Sequence, residues 1–221
     1  MLALELISNT ILPLNPNQTV QRANQLMASF KVNHLPIINN NFEFMGLLAE
    51  DDLIEIITNQ TLISEIKLSN LNCFVYQQQH VYDVIRTVYE QKLTLLPVLD
   101  DNHKYIGLIT LSTIIECMAT LTALHNGGGV VVLEINHNDN SLAHIAQIIE
   151  AQDVQILSSY TKYFPQSTKI EITLKLNKTE INPIIAALLR YNYIIKATFN
   201  HSNDNDSISN RYQSLMNYLS F

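Results

Sequence analysis

The first half of the chain carries one pattern of apolar and polar positions twice. An apolar stretch around Pro36 ends in a polar turn and is followed by a second apolar stretch around Gly46. The same order returns 61 residues later, around Pro97 and Gly107. Because a repeated pattern of this length marks a repeated structural unit, we predict two copies of one fold.

Each copy predicts the order βαββα. The helix in the first copy is indicated by apolar residues that recur at helical spacing, with Thr19 as its N-cap. One such unit is too small to bury much core alone, so a pseudo-twofold pair is expected. The predicted elements are strand 10–12, helix 20–30, strands 34–38 and 44–48 and helix 51–57, then strand 73–75, helix 81–89, strands 95–99 and 105–109 and helix 113–124.

After the run Gly127 to Gly129 the pattern becomes βαββαβ. Ile170, Ile172, Leu174 and Leu176 alternate with polar residues, as in a strand with one buried face. This order is that of the ferredoxin-like unit, so the fold class is α+β. The predicted elements are strand 130–135, helix 141–151, strands 154–160 and 169–176, a helix opened by Thr179 and running to 190, and strand 193–199.

The last residues predict a linker and a helix. Residues 201–207 are polar, and apolar residues then recur at helical spacing. This narrow stripe fits either docking on its own domain or a seam between subunits. Its members are Ile208, Tyr212, Leu215 and Leu219.

Composition narrows the classes of function. The net charge is −7 and the 13 Lys and Arg residues are scattered singly, which argues against nucleic-acid binding. No apolar run is long enough to span a bilayer, and the first residues lack a basic region of the kind that opens a signal peptide. Cys73 and Cys117 indicate neither a disulfide framework nor a zinc knuckle. We therefore expect a cytoplasmic protein.

Residues 46–53 and 107–114 point to a particular protein family. Together with the apolar strand that contains a proline, they resemble a CBS domain, named for cystathionine β-synthase. The resemblance implies a CBS pair at 1–124, with repeats at about 1–62 and 63–124. It further implies a Gly-rich hinge at 125–129, and residues 130–200 resemble an ACT domain, with 201–221 as linker and terminal helix. The whole order resembles the CBS–ACT proteins of the acetoin-utilisation type.

The resemblance implies two clefts that bind adenosine-containing ligands. The family pattern is Gly-φ-φ-(Ser/Thr)-x-x-Asp, where the hydroxyl and the helix start hold phosphate and the acid holds ribose hydroxyls. The first copy keeps Asp52 but has Ala49 at the hydroxyl position. The second keeps Thr110, with Ser112 nearby, but has Thr113 at the acid position. All these residues also fit a simpler reading as helix-capping groups.

Each cleft would be completed by the other repeat. Glu50 and Asp51 beside Asp52 should repel polyphosphate, so adenosine or S-adenosylmethionine is expected there, and the Thr110 cleft is the better phosphate candidate. The expected walls are Cys73, Leu93, Thr94 and Leu95 for the Asp52 cleft, and Leu12, Val32, Asn33 and His34 for the Thr110 cleft.

These features predict a regulatory protein rather than an enzyme. No catalytic triad, P-loop or dinucleotide fingerprint is present, and no cofactor is required. The predicted ligand is AMP, ATP or S-adenosylmethionine, in a homodimer that controls a partner protein and binds neither nucleic acid nor membrane. His137 and His144 lie seven residues apart without further ligands, so no metal site is predicted.

Two alternatives to this function stay open. One is an interaction scaffold whose clefts hold no ligand. The other is an amino-acid sensor that uses the ACT-like domain. The loop between its first strand and helix, residues 136–141, has Asn140 where the family expects glycine.

Overall fold

The computed structural model describes residues 1–54, 56, 58–136 and 141–201, without the side chain of His201. The chain divides into two compact units, residues 1–117 and 118–221. Each unit has its own apolar core. In the described part of the chain, none of the helices combines the length and the apolar character needed to cross a membrane.

The first unit holds both copies of the repeat. In each copy a helix precedes an antiparallel hairpin, as predicted. The elements are α1 Val20–Phe30, β1 His34–Ile38 and β2 Phe44–Ala49, then β3 Val75–Tyr76, α2 Val81–Gln91, β4 Leu95–Leu99, β5 Tyr105–Thr110 and α3 Leu111–Leu121, with short 3-10 turns at Ala3–Leu6, Glu50–Leu53 and Ile63–Glu65.

The first helix of each copy, α1 or α2, has the same boundaries at the 61-residue offset. The Thr19 side chain accepts the N–H of Arg22 at the start of α1, and the His80 side chain accepts the N–H of Tyr82 at the start of α2. Lys31 and Lys92 end these helices in the left-handed conformation, with φ of 54° and 53°. The duplication seen in sequence is therefore a duplication of backbone conformation.

The first strand of each copy lies later than predicted. Leu14 makes a single parallel bridge to Ile37, at the position where Val75 of β3 pairs with Val98. The predicted strand 10–12 ends two residues before this bridge, and the predicted strand 73–75 begins two residues before β3 and shares only Val75 with it. In the first copy the reason is Pro13, which has no N–H to donate, so pairing begins with the Leu14 N–H to the Pro36 carbonyl at 2.7 Å.

The predicted helix at 51–57 was also wrong over its described part, which is the 3-10 turn Glu50–Leu53. Residues 55 and 57 lie outside the described residues. At the equivalent place in the second copy, Thr110 accepts the N–H of Thr113 at 3.2 Å and the 11-residue helix α3 follows. Ala49 has no hydroxyl to supply this cap, which accounts for the difference between the copies.

Gly46 and Gly107 let the two copies interlock. Their φ angles are 150° and 153°, which side chains rarely adopt. A Cβ on Gly46 would lie 2.7 Å from Cδ1 of Leu68, and one on Gly107 would overlap Ile7. The reason for this lack of space is that another segment pairs with the strand beside each glycine. Leu47 forms a bridge with Asn70, and Leu108 forms a bridge with Ser8. The segment that leads into each repeat crosses the hairpin of the other repeat.

The second unit is a four-stranded antiparallel sheet with two helices. Its strand order is β7-β8-β6-β9, which is the ferredoxin-like arrangement predicted from βαββαβ. Isoleucine and leucine side chains of the sheet and both helices form the core. The elements are β6 Gly128–Asn136, α4 Leu142–Glu150, β7 Ile156–Tyr163, β8 Lys169–Leu176, α5 Asn182–Arg190 and β9 Ile194–His201.

Only β8 agrees with its predicted range at both ends; β7, for example, was predicted at 154–160 and lies at Ile156–Tyr163. Gly128 and Gly129, expected in the hinge, already pair with β9 as part of β6. Helix α5 begins at Asn182 rather than at Thr179, with Ile181 as an N-cap that makes no side-chain hydrogen bond. A proline in the first turn starts this helix instead of a capping hydroxyl. The predicted loop residues 137–140 and terminal helix 208–219 lie outside the described residues.

Candidate functional site

Asp52 connects the two repeats through its carboxylate. One oxygen accepts the N–H of Ala49 at 2.9 Å, and the other accepts the N–H of Ser69 at 3.2 Å. Ser69 lies in the segment that leads into the second repeat. The acid expected to hold ribose is thus placed where both repeats meet, and it also has a structural role.

Thr110 lies at the equivalent position in the second copy, within a cluster of hydroxyl groups. Its Oγ1 is 2.7 Å from Oγ of Ser112 and 2.9 Å from Oγ1 of Thr113. Thr110 is buried, and α3 begins directly after it. The three hydroxyls predicted to hold phosphate therefore come together, but they are hydrogen-bonded to one another.

His34 and Thr94 form a direct contact between the repeats. The Thr94 N–H donates to Nδ1 of His34 at 3.2 Å, and the Thr94 hydroxyl lies 2.9 Å from the same atom. Since Nδ1 accepts a backbone N–H, it carries no proton, and His34 is the neutral tautomer protonated on Nε2. The Asn33 N–H donates to the Thr94 hydroxyl oxygen at 3.0 Å, which completes a chain of three hydrogen bonds.

Burial lowers the pKa of His34 below its ordinary value. The nearby carboxylates of Asp51, Asp52 and Glu50 act in the opposite direction, but they are weaker than desolvation. The imidazole is therefore neutral at neutral pH, as its hydrogen bonds require. His34 is itself part of a contact between the repeats.

The structure groups some predicted wall residues differently. His34 was expected beside Thr110, whereas it contacts Thr94 and faces the acids around Asp52. The prediction that His34 lines the Thr110 cleft is therefore wrong. The two repeats contact each other at residues 33, 34 and 94, which places His34 on the side of Asp52.

The remaining residues predicted to line the clefts differ in how far they are buried. Cys73 is half-buried, and burial raises the pKa of its thiol. Leu12 is 64% exposed. The three others are buried in the apolar core of the first unit: Val32, Leu93 and Leu95.

No role was predicted from the sequence for the two segments that precede the repeats, which contain Ser8-Asn9 and Ser69-Asn70. Ser69 binds Asp52, and Oδ1 of Asn9 would lie 3.2 Å from a Cβ placed on Gly107. A signal was present, because Ser8-Asn9 and Ser69-Asn70 are identical pairs at the 61-residue offset of the repeat. From this offset, the two Ser-Asn pairs could have been predicted to occupy equivalent positions beside the two hairpins.

In the described residues, no group of three or more His, Cys, Asp or Glu side chains is arranged to hold a metal ion. His137 of the pair singled out in the sequence lies outside the described residues.

The fold is repeated, and each hairpin ends at one candidate site: Asp52 in the first copy, here called the first junction, and Thr110 in the second copy, the other junction. This arrangement defines the class of protein. The model of the CBS domain family matches residues 3–59 and 65–120. The chain therefore belongs to the CBS domain family, with one pair of domains.

Among curated proteins, the chain is similar to parts of larger enzymes. It is 35% identical over 108 residues to the homoserine O-acetyltransferase of Methanosphaera stadtmanae, a match covering 48% of this chain and 22% of that enzyme. It is 20% identical to the inosine-5′-monophosphate dehydrogenase of Methanocaldococcus jannaschii, with 67% and 30% covered. The chain spans less than a third of the length of both enzymes.

Solved structures with a similar fold include a CBS domain pair/ACT domain protein from Thermotoga maritima. It has a TM-score of 0.49 and 18% identity, and the match covers 53% of this chain and 96% of that one. A putative acetoin utilization protein from Vibrio cholerae has a TM-score of 0.48 and 19% identity, with 57% and 95% covered.

Proposed function

We propose that this protein is a non-catalytic regulator whose CBS pair binds an adenosine-containing ligand such as AMP, ATP or S-adenosylmethionine. Membership of the CBS domain family supports a regulatory role. The observation that carries the proposal is the Asp52 carboxylate, which is held by the N–H of Ala49 in one repeat and of Ser69 in the segment leading to the other. A ligand bound to Asp52 contacts a group that depends on both repeats.

The two junctions offer different chemistry to such a ligand. A carboxylate has about four lone-pair sites, so Asp52 keeps acceptor capacity for the two hydroxyls of a ribose. Glu50 and Asp51 add negative charge there, which favours adenosine or S-adenosylmethionine over ATP. At the other junction, the hydroxyls of Thr110, Ser112 and Thr113 and the start of α3 offer donors to a phosphate.

Ligand binding would act by shifting the arrangement of the repeats. A ligand shifts an equilibrium only by as much as it binds one arrangement better than the other. The Asp52–Ser69 and His34–Thr94 hydrogen bonds are among the contacts that such a shift would change. We further propose a cytoplasmic homodimer, in which the second unit acts as an ACT-like domain toward a regulated partner protein.

The test is calorimetric titration of the full chain with adenosine, AMP, ATP and S-adenosylmethionine. Losing one charged hydrogen bond costs about 1.5–3 kcal/mol, so Asp52→Asn should weaken adenosine roughly ten- to a hundredfold. Thr110→Val should weaken AMP more than adenosine. Asp83→Asn, at an exposed helix ion pair, is the matched control and should bind as the wild type does. Equal affinities in all four proteins would overturn the proposal.

A second candidate function, an interaction scaffold, is favoured by one observation. Asp52 and Thr110 already make hydrogen bonds within the chain, so both have a structural use without a ligand. In that case Asp52→Asn lowers the melting temperature, and the unmodified chain gives no binding heat with any adenosine compound. The same titrations therefore separate the two functions.

A further inference from the structure

The second unit contains a cavity that the CBS pair does not involve. Its volume is about 620 Å³, within the range of small-molecule sites. The approach to β6, with Gly127 and Gly128, forms one wall, and Leu157 of β7 forms another. The loop from β8 to α5, with Lys178 and Thr179, lines the third side, and the cavity is open to solvent.

The glycine run beside this cavity is only partly explained by packing. A Cβ on Gly128 would overlap the carbonyl oxygen of Leu176, and one on Gly129 would lie 2.5 Å from Cγ2 of Ile181. A Cβ on Gly127 would meet nothing within 4 Å, and Gly127 is not among the residues with positive φ. Neither packing nor backbone conformation therefore requires glycine at position 127, where the bare backbone lines the cavity.

The cavity wall presents hydrogen-bond donors. The Asn177 side-chain oxygen accepts the N–H of Gln155 at 3.0 Å, which leaves the NH₂ group of the same amide to donate. Within residues 118–136 and 141–201, the backbone N–H groups of Gly127, Lys178 and Thr179 donate to no group, and the Lys178 ammonium makes no ion pair. These residues are exposed, so their donors are available to water or to a bound acceptor.

The local charge favours an anion. The ammonium of Lys175 does not line the cavity, but it lies 3.0 Å from the carbonyl oxygen of Gly128, so a second cation is next to the glycine wall. One carboxylate lines the cavity, that of Glu180, and it accepts the N–H of Asn182 at 3.2 Å. Two ammonium groups against one engaged carboxylate give a positive excess in a chain whose net charge is −7.

We propose that this cavity binds a small anion through a carboxylate or phosphate group. The anion accepts from Lys178, from the Asn177 amide and from the N–H groups of Gly127 and Thr179, and any apolar part of it lies against Leu157. Charge-assisted hydrogen bonds of this kind are about twice as strong as neutral ones. The site is independent of adenosine binding by the CBS pair.

The five glycines of the chain allow a direct test. Protein labelled with ¹⁵N only at glycine gives at most five backbone amide signals, and the full chain is titrated with citrate and with inorganic phosphate. Saturable shifts of Gly127 and Gly128, with Gly46 and Gly107 unmoved, are the expected result. A parallel titration with sodium chloride separates a bound anion from the effect of ionic strength. Titration of the same sample with adenosine tests the CBS pair separately, through Gly46 and Gly107.

Two variants identify the site. Lys178→Gln should raise the half-saturating concentration roughly tenfold or more, because a charged hydrogen bond is lost. Gly127→Ala should weaken binding without unfolding, since its Cβ meets open space. In that variant, anion binding is measured through the amide signal of Gly128. Lys67→Gln, an exposed charge in the first unit, should change nothing. The proposal is overturned if neither anion shifts Gly127 or Gly128, or if Lys178→Gln binds both anions as the unmodified chain does.

Discussion

At the scale of single residues, the contact between His34 and Thr94 should depend on pH. Burial lowers the pKa of His34, so the folded state binds a proton less readily than the unfolded chain. The stability that this contributes is present above the unfolded pKa of about 6.5, and it is lost as the pH falls below that value.

We therefore expect the melting temperature of the first unit to fall as the pH drops below about 6.5. His34→Gln should flatten this dependence, because glutamine does not titrate. The comparison is a series of melting curves, with His125→Gln, exposed in the second unit, as control. An unchanged pH dependence in His34→Gln would contradict the assignment of a neutral His34.

Thr94 provides a second test at this scale. Its hydroxyl accepts the N–H of Asn33, so Thr94→Val leaves that donor without its partner. Because Asn33 is exposed and water can replace the hydroxyl, the loss should destabilise the first unit by about 0.5–1.5 kcal/mol. Thr94→Ser keeps the hydroxyl and should retain most of the stability. Urea unfolding, followed through the signals of Gly46 and Gly107, measures both variants in the same unit.

At the scale of elements, the difference between the ends of the two repeats follows from one residue. Thr110 caps α3, whereas Ala49 precedes only the 3-10 turn Glu50–Leu53. Because Thr110 is itself buried at the equivalent place, the fold of a repeat can hold a threonine there. The first junction therefore lacks a hydroxyl for a reason of sequence and not of space.

Ala49→Thr should restore the family pattern in the first repeat. A capping hydroxyl contributes about 1 kcal/mol to a helix start, so the variant should be at least as stable as the natural chain. It should also bind AMP more tightly, since the hydroxyl adds a phosphate contact beside Asp52. Calorimetric titration with AMP measures the gain, and an affinity that does not rise would show that this junction holds no phosphate.

The crossing of the leading segments over the hairpins gives a further prediction. Gly107→Ala places a Cβ against Ile7 at a φ of 153°, and such strain costs about 1–3 kcal/mol. Thermal unfolding should therefore show a clear loss for this variant. Gly127→Ala makes the same chemical change in open space and should melt as the natural chain does.

The duplicated helix-and-hairpin pattern could be predicted because its signals are local. Helix α1 begins and ends as predicted, since Thr19 caps it and its apolar residues share one face. The pairing of β1 with β2 follows from a polar turn between two apolar stretches.

The contacts between the repeats could not be predicted from local pattern. Whether His34 meets Thr94, and whether Ser69 reaches Asp52, depends on how two separately patterned units pack. The boundary at Gly128 was missed for a related reason. Its strand pairing with His201 joins residues far apart in sequence, and a glycine run alone resembles a hinge.

At the scale of the whole molecule, the proposed homodimer has a simple consequence. The chain has a mass of 25.1 kDa, so light scattering after size-exclusion chromatography should give a mass about twice that value. A mass equal to one chain at micromolar concentration would exclude a stable dimer.

The central claim is that the CBS pair binds an adenosine-containing ligand. Thermal unfolding of the full chain against adenosine, AMP, ATP and S-adenosylmethionine tests it most directly. A ligand at 100 times its dissociation constant adds about 2.7 kcal/mol, or roughly 5–10 °C in a chain of this size. We expect such a shift with at least one of the four compounds, and its loss in Asp52→Asn or Thr110→Val. If none of the four shifts the transition, the pair is not an adenosine sensor and the scaffold function takes its place.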